Sequence, residues 1–212
     1  MVVIEAVIFD FDGVILDSAN IKTEAFLQLF DQYPQHSKAI KEYHIEHQGI
    51  TRYQKFEWIY RELLNKSYTP ETKRKLGEAF SQIVFDKIMK ADFIPGAKEL
   101  LQKLQGKIPA FIASGTPDQE LQKIVEERGL SRFFEAVYGS DISKEQAIEV
   151  ISDRCKIPCS EILFIGDATT DCRAAKTKGT RFAAVYSEDM EEYWKERGIE
   201  PVQNLLNINI QF

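Results

Sequence analysis

An apolar segment close to the N-terminus ends in two aspartates that are separated by one residue. Residues 2–9 are mostly valine, isoleucine, alanine and phenylalanine, which is typical of a buried β-strand. Asp10 and Asp12 follow directly, and Gly13 allows the backbone to turn sharply after them. Two carboxylates this close repel each other unless a cation or a shared proton offsets their charge. The segment therefore predicts a strand that delivers paired acids to a ligand site, and a plain strand followed by an Asp-Gly turn is the alternative.

Alternating strand and helix patterns occupy the chain from about residue 91 to residue 186. Short apolar runs at residues 109–115, 136–140, 162–167 and 181–186 are separated by single helical patterns. Strands joined in this way are typical of right-handed crossovers in a parallel sheet. The pattern therefore predicts an α/β fold whose core is a Rossmann-like, doubly wound parallel sheet.

Residues 18–90 have a different pattern, with helical periodicity and no clear strand. Examples are the apolar positions Ile21, Ala25, Phe26, Leu29 and Phe30. We interpret this stretch as an all-helical domain inserted after the first strand. The predicted boundaries give a core domain from residues 1–17 and 91–212 and an inserted domain from residues 18–90. Residues after about 200 have no interpretable pattern.

Composition and charge argue against several classes of protein. Among 212 residues the net charge is −6, whereas nucleic-acid-binding proteins usually present a basic surface. No apolar run approaches the roughly 20 residues of a membrane span, and the N-terminal apolar stretch lacks the basic flank of a signal peptide. The three cysteines suit a reducing compartment, and Cys155 and Cys159 have no partners spaced for a zinc site. We therefore expect a cytoplasmic protein with no nucleic-acid or membrane partner, and no oligomeric state is predicted.

Polar residues follow the ends of several predicted strands or start the helices after them. They are Asp10, Asp12, Ser114, Lys144, Asp167 and Asp171. Because the carboxyl ends of parallel strands share one edge of a sheet, these side chains should converge in one crevice. Clustered carboxylates need a hard cation, and Mg²⁺ binds one or two carboxylates together with waters and phosphate oxygens. The sequence therefore predicts a magnesium site at this edge.

The order and spacing of these residues resemble the haloacid dehalogenase superfamily of phosphotransferases. Four segments are similar to its four motifs: Asp10-Phe-Asp-Gly-Val14, Ser114, Lys144 and Gly166-Asp-Ala-Thr-Thr-Asp171. Each motif is weak when taken alone. Four of them in the right order, each at a predicted strand end, make a specific signal that covers most of the chain.

The resemblance implies a role for each matching residue. Asp10 would attack phosphorus and form an aspartyl-phosphate, and Asp12 would act as general acid and then as general base. Mg²⁺ would be held by Asp10, by Asp167 and by the backbone carbonyl of Asp12. Ser114 and the amide of Gly115 would bind phosphoryl oxygen, and Lys144 would supply positive charge to the nucleophile and the phosphoryl group. Asp171 would orient Lys144 or a metal-bound water.

Three of these assignments have open alternatives. Many relatives have a proline after the motif-three lysine, whereas Glu145 stands here. Lys144 could therefore be a solvated lysine at a helix start. Asp171 could be an acid of a first helical turn, which the helix dipole favours, and Ser114 could be a turn residue at a strand end.

The inserted helical domain resembles the type-one cap of this superfamily, which would close over the site and exclude water. The segment Gly49-Ile-Thr-Arg52 is similar to the Gly-Val-Ser-Arg loop of β-phosphoglucomutase-like members. Arg52 is therefore the candidate for substrate specificity, because a guanidinium group suits phosphate or carboxylate. An ordinary exposed arginine at a helix start is the alternative.

Two further observations concern the cap. Lys22 stands where the mutases have a histidine that shuttles a proton, and this difference favours a hydrolase. The three histidines of the chain, His36, His44 and His47, have no acids placed for metal binding. We interpret them as surface or packing residues.

The resemblance thus implies a Mg²⁺-dependent phosphatase that hydrolyses a small phosphorylated metabolite, such as a sugar phosphate or a phosphoglycolate-like acid. A phosphosugar mutase of the β-phosphoglucomutase type is the first alternative. A phosphometabolite-binding protein without turnover is the second, and the intact Asp10 and Asp12 pair argues against it.

Overall fold

The chain divides into two compact units in the computed structural model, which describes residues 3–47 and 50–210. The core unit combines Met1–Asp17 with Asp92–Phe212. The helical unit is the continuous segment Ser18–Ala91. Buried apolar side chains are present in both, so each unit has a core of its own.

A parallel sheet forms the centre of the core unit. Its strands are β1 Ala6–Phe9, β2 Ala110–Ala113, β3 Ala136–Tyr138, β4 Ile162–Gly166 and β5 Arg181–Ala184. They lie in the order β3-β2-β1-β4-β5, so the first strand is in the middle. Every residue of β1, β2 and β4 is buried, as is typical of the inner strands of a parallel sheet. The predicted α/β fold with a Rossmann-like parallel sheet is confirmed.

The register of the central strands determines where the polar residues emerge. Phe9, the last residue of β1, pairs with Ile112 of β2 and with Ile165 of β4. The three strands run in the same direction, so the residues that follow them leave the sheet at one edge. Asp10 continues the pairing, because its backbone N–H donates to the carbonyl of Ile165 at 2.9 Å. Backbone pairing of apolar strands thus positions the acids.

The described part of the helical unit contains helices and turns. Its α-helices are α1 Ala19–Leu29, α2 Ser37–Glu46, α3 Arg52–Trp58 and α4 Pro70–Ile88, and a π-helical turn at Ile59–Leu63 continues α3. Thr51 caps α3 and Thr69 caps α4, each by accepting a hydrogen bond from a backbone N–H three residues ahead. The rings of Phe26, Phe56 and Phe80 pack together, with centroids 4.7 to 5.7 Å apart. These rings form the centre of the unit.

A buried lysine and a buried histidine lie beside this aromatic centre. Nζ of Lys55 is 2.9 Å from Nδ1 of His44. The two residues are only 4 % and 8 % exposed. Burial lowers the pKa of His44 to about 3, and the positive charges of Lys55 and Lys22 act in the same direction. His44 is therefore a neutral packing residue in the folded protein at neutral pH, as expected.

Helices connect the strands of the core unit. They are α5 Ala97–Leu104, α6 Asp118–Glu127, α7 Lys144–Cys155, α8 Thr169–Lys178 and α9 Glu191–Glu196. The first four each precede one strand, so each connection between β2 and β5 contains one α-helix. In α5 the buried leucines are Leu100, Leu101 and Leu104, and burial of one such leucine stabilises the fold by roughly 1.5–3 kcal/mol. Short 3₁₀ helices lie at Pro34–His36, Ser131–Phe133, Cys159–Glu161, Glu188–Met190 and Leu205–Asn207.

The segment after β5 packs back onto the core unit. Val202 forms a parallel bridge with Val185, and its N–H donates to the carbonyl of Ala184 at 2.8 Å. The N–H of Leu205 donates to the carbonyl of Pro95 at 2.8 Å. The segment is therefore held by partners that are distant in sequence, which is why it has no local pattern. Among the described residues, no helix combines the length and the apolar character needed to cross a bilayer.

His44 should make the stability of the helical unit depend on pH. The pKa of histidine is about 6.5 in an unfolded chain, whereas it is about 3 for folded His44. As the pH falls below 6.5 the unfolded chain binds the proton first, so stability is lost from that pH downward. We expect wild type to lose about 2 kcal/mol relative to His44→Gln between about pH 7 and about pH 5. Urea unfolding at the two pH values measures this difference, with His36→Gln as the control. A stability difference between wild type and His44→Gln that stays constant over this range would contradict the assignment.

Candidate active site

Asp10 lies at the end of β1 with both carboxylate oxygens engaged. Oδ1 accepts a hydrogen bond from the backbone N–H of Phe11 at 2.7 Å, and Oδ2 accepts one from Nζ of Lys144 at 3.0 Å. The residue is only 7 % exposed. One backbone amide and one ammonium group therefore fix the orientation of this carboxylate.

Lys144 joins Asp10 to Asp171. It is the first residue of α7, where Ser143 and Gln146 form a capping box. Its ammonium group donates to both carboxylates, and the side chain is 11 % exposed. The structure thus brings Lys144 to the acids although Glu145, and not proline, follows it. Lys144 is not a solvated lysine at a helix start.

Asp171 is fitted into the site by two features of the fourth motif. Its Oδ2 accepts a hydrogen bond from the backbone N–H of Ala168 at 3.0 Å, at the start of α8. A Cβ added to Gly166 would lie 2.3 Å from the Cβ of Asp171. Any side chain at position 166 would displace Asp171, so this glycine is a steric requirement of the site.

Asp167 follows β4 and lies beside the turn at Gly13. The φ angle of Gly13 is +75°, and a Cβ at this position would lie 2.1 Å from Oδ2 of Asp167. The N–H of Gly13 donates to the carbonyl of Leu16 at 2.8 Å and closes the turn. Both the left-handed backbone and the adjacent carboxylate therefore require glycine here.

Three buried carboxylates meet at this edge of the sheet. Asp10, Asp167 and Asp171 each contribute an oxygen, and these oxygens lie within 4.8 Å of one another. Burial raises the pKa of Asp10 to about 6; Lys144 opposes this rise, while the charges of Asp171 and Asp12 add to it. Burial also raises the pKa of Asp167 well above its usual value, and Asp10 and Asp171 add to the effect. Because a cation relieves such repulsion, these carboxylates could hold a divalent metal ion.

The lysine offsets only part of this negative charge. Burial acts to lower the pKa of Lys144, but the carboxylates of Asp10 and Asp171 outweigh burial and raise it, so the amine stays charged. Within the part of the chain that the structure describes, this ammonium group contacts Asp10 and Asp171 and lies beside a group of three buried carboxylates, Asp10, Asp167 and Asp171. The oxygen-only ligand set and its surplus of negative charge suit a hard divalent cation.

Thr116 connects Asp12 with Ser114. Its hydroxyl donates to Oδ2 of Asp12 at 3.2 Å, and its backbone N–H donates to Oγ of Ser114 at 3.2 Å. Ser114 and Thr116 are buried, and Gly115 between them is exposed. Sequence reasoning missed Thr116, for which the only signal is its position two residues after Ser114. Asp12 and Ser114, which lie about a hundred residues apart in the sequence, are thus linked through Thr116.

Arg52 and Lys22, the predicted specificity residues, belong to the helical unit. Arg52 is the first residue of α3 and is 8 % exposed. Its guanidinium group donates to Oγ of Ser81 at 2.9 Å and lies 4.7 Å from the centre of the Phe80 ring. Arg52 is therefore not an ordinary exposed arginine. Lys22 is half-buried in α1, and Gly49 of the predicted loop lies outside the described residues.

Comparison with known proteins places the chain in a family. Residues 7–185 match the haloacid dehalogenase-like hydrolases. The chain belongs to this family. It is 23 % identical over 181 residues to a phosphorylated carbohydrates phosphatase of Thermotoga maritima, and the match covers 82 % of each protein. It is 28 % identical over 97 residues to a phosphoglycolate phosphatase of Pseudomonas savastanoi pv. phaseolicola, where the match covers 43 % of this chain and 36 % of that protein.

A solved haloacid dehalogenase-like structure has the same fold. The β-phosphoglucomutase of Clostridium difficile aligns with a TM-score of 0.73 and 21 % identity, and the alignment covers 97 % of this chain and 94 % of that one. The resemblance inferred from the four motifs is confirmed. The prediction of a hydrolase of the phosphatase type is confirmed by the family and by the curated phosphatases among its relatives. The roles of individual residues stay predictions.

Replacing Gly13 should weaken metal binding at the site as well as lower the stability of the fold. In Gly13→Ala the new Cβ would need the place of Oδ2 of Asp167 in addition to a positive φ. A non-glycine residue in this backbone region costs about 1–3 kcal/mol, and we expect a loss at the upper end together with at least tenfold weaker divalent-metal binding. Calorimetric metal titration and thermal unfolding measure the two effects.

Gly106→Ala is the matched control for this substitution. Gly106 has a φ of +73° with nothing within 4 Å of an added Cβ, so alanine at this position has only the cost of the positive φ. Equal metal affinity in the two variants would show that the contact of Gly13 with Asp167 has no bearing on the site.

Proposed function

We propose that this protein is a Mg²⁺-dependent phosphatase that hydrolyses the phosphate monoester of a small metabolite through an aspartyl-phosphate on Asp10. The observation that carries the proposal is the meeting of Asp10, Asp167 and Asp171 around Lys144 at the end of the parallel sheet. A nucleophilic carboxylate, a place for a cation and a fixed positive charge are the three parts that transfer of a phosphoryl group needs.

The metal preference follows from the ligand chemistry. Carboxylate oxygens from Asp10 and Asp167, with the backbone carbonyl of Asp12, are hard oxygen donors that suit Mg²⁺. A divalent cation bound there would offset the repulsion between the carboxylates and an incoming phosphate. Asp171 contacts both Lys144 and the backbone of Ala168, which supports the proposed role of orienting Lys144.

Asp10 is the proposed nucleophile. An oxygen of its carboxylate attacks phosphorus, a new bond between oxygen and phosphorus forms, and the bond from phosphorus to the ester oxygen breaks. The electron pair of that bond leaves with the alkoxide. The hydrogen bonds from Phe11 and Lys144 hold the carboxylate in place for this attack.

Asp12 is the proposed acid and base. It gives a proton to the departing alkoxide and then takes one from the water that attacks the aspartyl-phosphate. Inorganic phosphate leaves, and the carboxylate of Asp10 is restored. The hydrogen bond from the Thr116 hydroxyl to Oδ2 of Asp12 supports this role, because it orients the carboxyl group.

The transferring group would be held by Ser114, the Gly115 amide and Lys144. These donors supply hydrogen bonds and positive charge where negative charge develops on the phosphoryl oxygens. The ammonium of Lys144 already bonds to the nucleophile, so one cation would serve both partners of the reaction.

Substrate choice is assigned to the helical unit, which we propose to act as a cap. The relatives include a phosphorylated carbohydrates phosphatase and phosphoglycolate phosphatases, which supports a small sugar phosphate or a phosphoglycolate-like acid as the substrate class. Arg52 is the proposed specificity residue because its guanidinium is held in a fixed position by Ser81 and Phe80. Lys22 is the second candidate in this unit.

Asp10→Asn should abolish turnover while the protein stays folded. An amide oxygen is a poor nucleophile, so we expect the rate of p-nitrophenyl phosphate hydrolysis to fall by about 10³-fold or more. Removal of divalent metal with a chelator should have a comparable effect, and Mg²⁺ should restore the rate. Release of p-nitrophenol measures both rates. Asp153→Asn, which changes an exposed aspartate, is the control, and thermal unfolding checks that the variants are folded. Turnover by Asp10→Asn above a tenth of the wild-type rate would refute the assigned nucleophile.

Arg52→Ala should separate substrate recognition from chemistry. If Arg52 binds the substrate away from the reacting phosphate, KM for 2-phosphoglycolate or a sugar phosphate should rise about tenfold or more, while KM for p-nitrophenyl phosphate should change little. Arg61→Ala is the control, because Arg61 is an arginine of the same unit with a side chain 59 % exposed. Equal effects of Arg52→Ala on all substrates would remove Arg52 from substrate recognition.

A further inference from the structure

A cavity of about 620 Å³ lies beside α8 in the core unit. Cavities of about 300–1,000 Å³ are typical of sites that bind small molecules. Four of the lining residues are spaced three, four and seven positions apart, which brings them to one side of the helix: Thr169, Cys172, Arg173 and Lys176. None of the described lining residues is assigned to phosphoryl transfer, so this α8–α9 cavity is separate from the candidate active site.

The other lining residues come from α9 and the turn after it. The guanidinium carbon of Arg197 lies 3.6 Å from the centre of the Tyr193 ring, and Nη1 donates to the carbonyl of Tyr193 at 3.2 Å. Stacking on the ring and this hydrogen bond fix the orientation of the guanidinium group. Nη1 also lies 3.4 Å from a carboxylate oxygen of Glu196, an exposed pair that is worth little energy. Both contacts use Nη1, so the group can present its other N–H donors to a ligand.

Positive charge is concentrated in the α8–α9 cavity. Three of the lining residues are cations, and none of the described ones is acidic: Arg173, Lys176 and Arg197. Lys176 and Arg197 both lie close enough to the Cys172 thiol to act on it electrostatically, so cations from two helices converge there. The carboxylate of Asp171 acts on the same thiol, but it is buried and bonded to Lys144. Cations brought together repel one another, and a bound anion would relieve that repulsion.

The cavity also has an apolar part. The Tyr193 ring, the Ile199 side chain and the Cys172 thiol line it, and all three residues are half-buried. A ligand that uses both parts has an anionic group at one end and an apolar or aromatic body at the other. A phosphate group suits the charged end, because a guanidinium group can donate two parallel hydrogen bonds to it.

We propose that the α8–α9 cavity is a second binding site of this protein, which takes a small organic phosphate. Arg173, Lys176 and Arg197 bind the phosphate group, and Tyr193 and Ile199 contact the body of the molecule. Inorganic phosphate shares the charged group but lacks the body, so it should bind more weakly. This site goes beyond the proposed phosphatase activity and does not depend on it.

Titration with phenylphosphonate tests the site directly. This probe has a phosphorus–carbon bond, so a phosphatase that cleaves phosphate esters leaves it intact. NMR shifts of the backbone amides and of the isoleucine methyl groups would be followed in the metal-free full-length protein. Ionic strength is held constant, with sodium chloride as the reference. We expect saturable shifts at Tyr193, Arg197 and Ile199, and binding of inorganic phosphate that is weaker by about fivefold or more.

Two substitutions should weaken the binding of phenylphosphonate. Arg173→Met and Lys176→Met each remove one exposed cation of the cavity, and each should raise Kd by about fivefold or more. Lys195→Met is the control, because Lys195 is an exposed lysine of α9 that is not among the described lining residues. All three changes are at exposed positions, so retained folding is expected and is checked by thermal unfolding.

The outcomes distinguish this cavity from the candidate active site. Shifts that are confined to Ser114 and its neighbours would report binding at the active site alone and would overturn the proposal. An unchanged Kd in both cavity variants would also overturn it. Equal affinity for phenylphosphonate and inorganic phosphate would refute an organic ligand. Because the titration involves no turnover, failure of the protein to hydrolyse any substrate would refute the proposed phosphatase and would leave this result standing.

Discussion

Mutual repulsion among buried carboxylates is the constraint on which the core unit depends. Carboxylates repel one another, and their side chains would move apart unless the backbone that carries them is held in place. Here they emerge from β1 and β4, two fully buried neighbours in the middle of the sheet. The single ammonium of Lys144 lowers the repulsion without cancelling it. A site with residual negative charge on paired, buried strands could bind a cation with little rearrangement.

Glycines make this crowding possible. Gly13 and Gly166 each lie where a Cβ would overlap a carboxylate residue of the site. The two positions act differently, since Gly13 also needs a positive φ whereas Gly166 is constrained by space alone. The carboxylate side chains can approach one another only because glycine, which has no side chain, occupies both positions.

Much of the fold was predictable because its signals are local. Apolar runs with sharp ends predict strands, and the residues after Phe9, Ala113 and Gly166 then fall at one edge. Lys144 was harder, since a lone lysine at a helix start has the same local pattern whether it is solvated or bound to two acids. Thr116 and the contact of Lys55 with His44 could not be predicted, because each depends on how separate elements pack and neither has a spacing of its own.

The position of β1 in the middle of the sheet has a consequence for biosynthesis. Its pairing partners, β2 and β4, are made long after it, on the far side of the helical segment. A chain emerging from the ribosome therefore carries an unpaired apolar strand while Ser18–Ala91, which is continuous, can already collapse. The nascent protein can aggregate through its first strand until the segment containing β4 has been translated. Delays in elongation before that point are therefore more hazardous than delays after it.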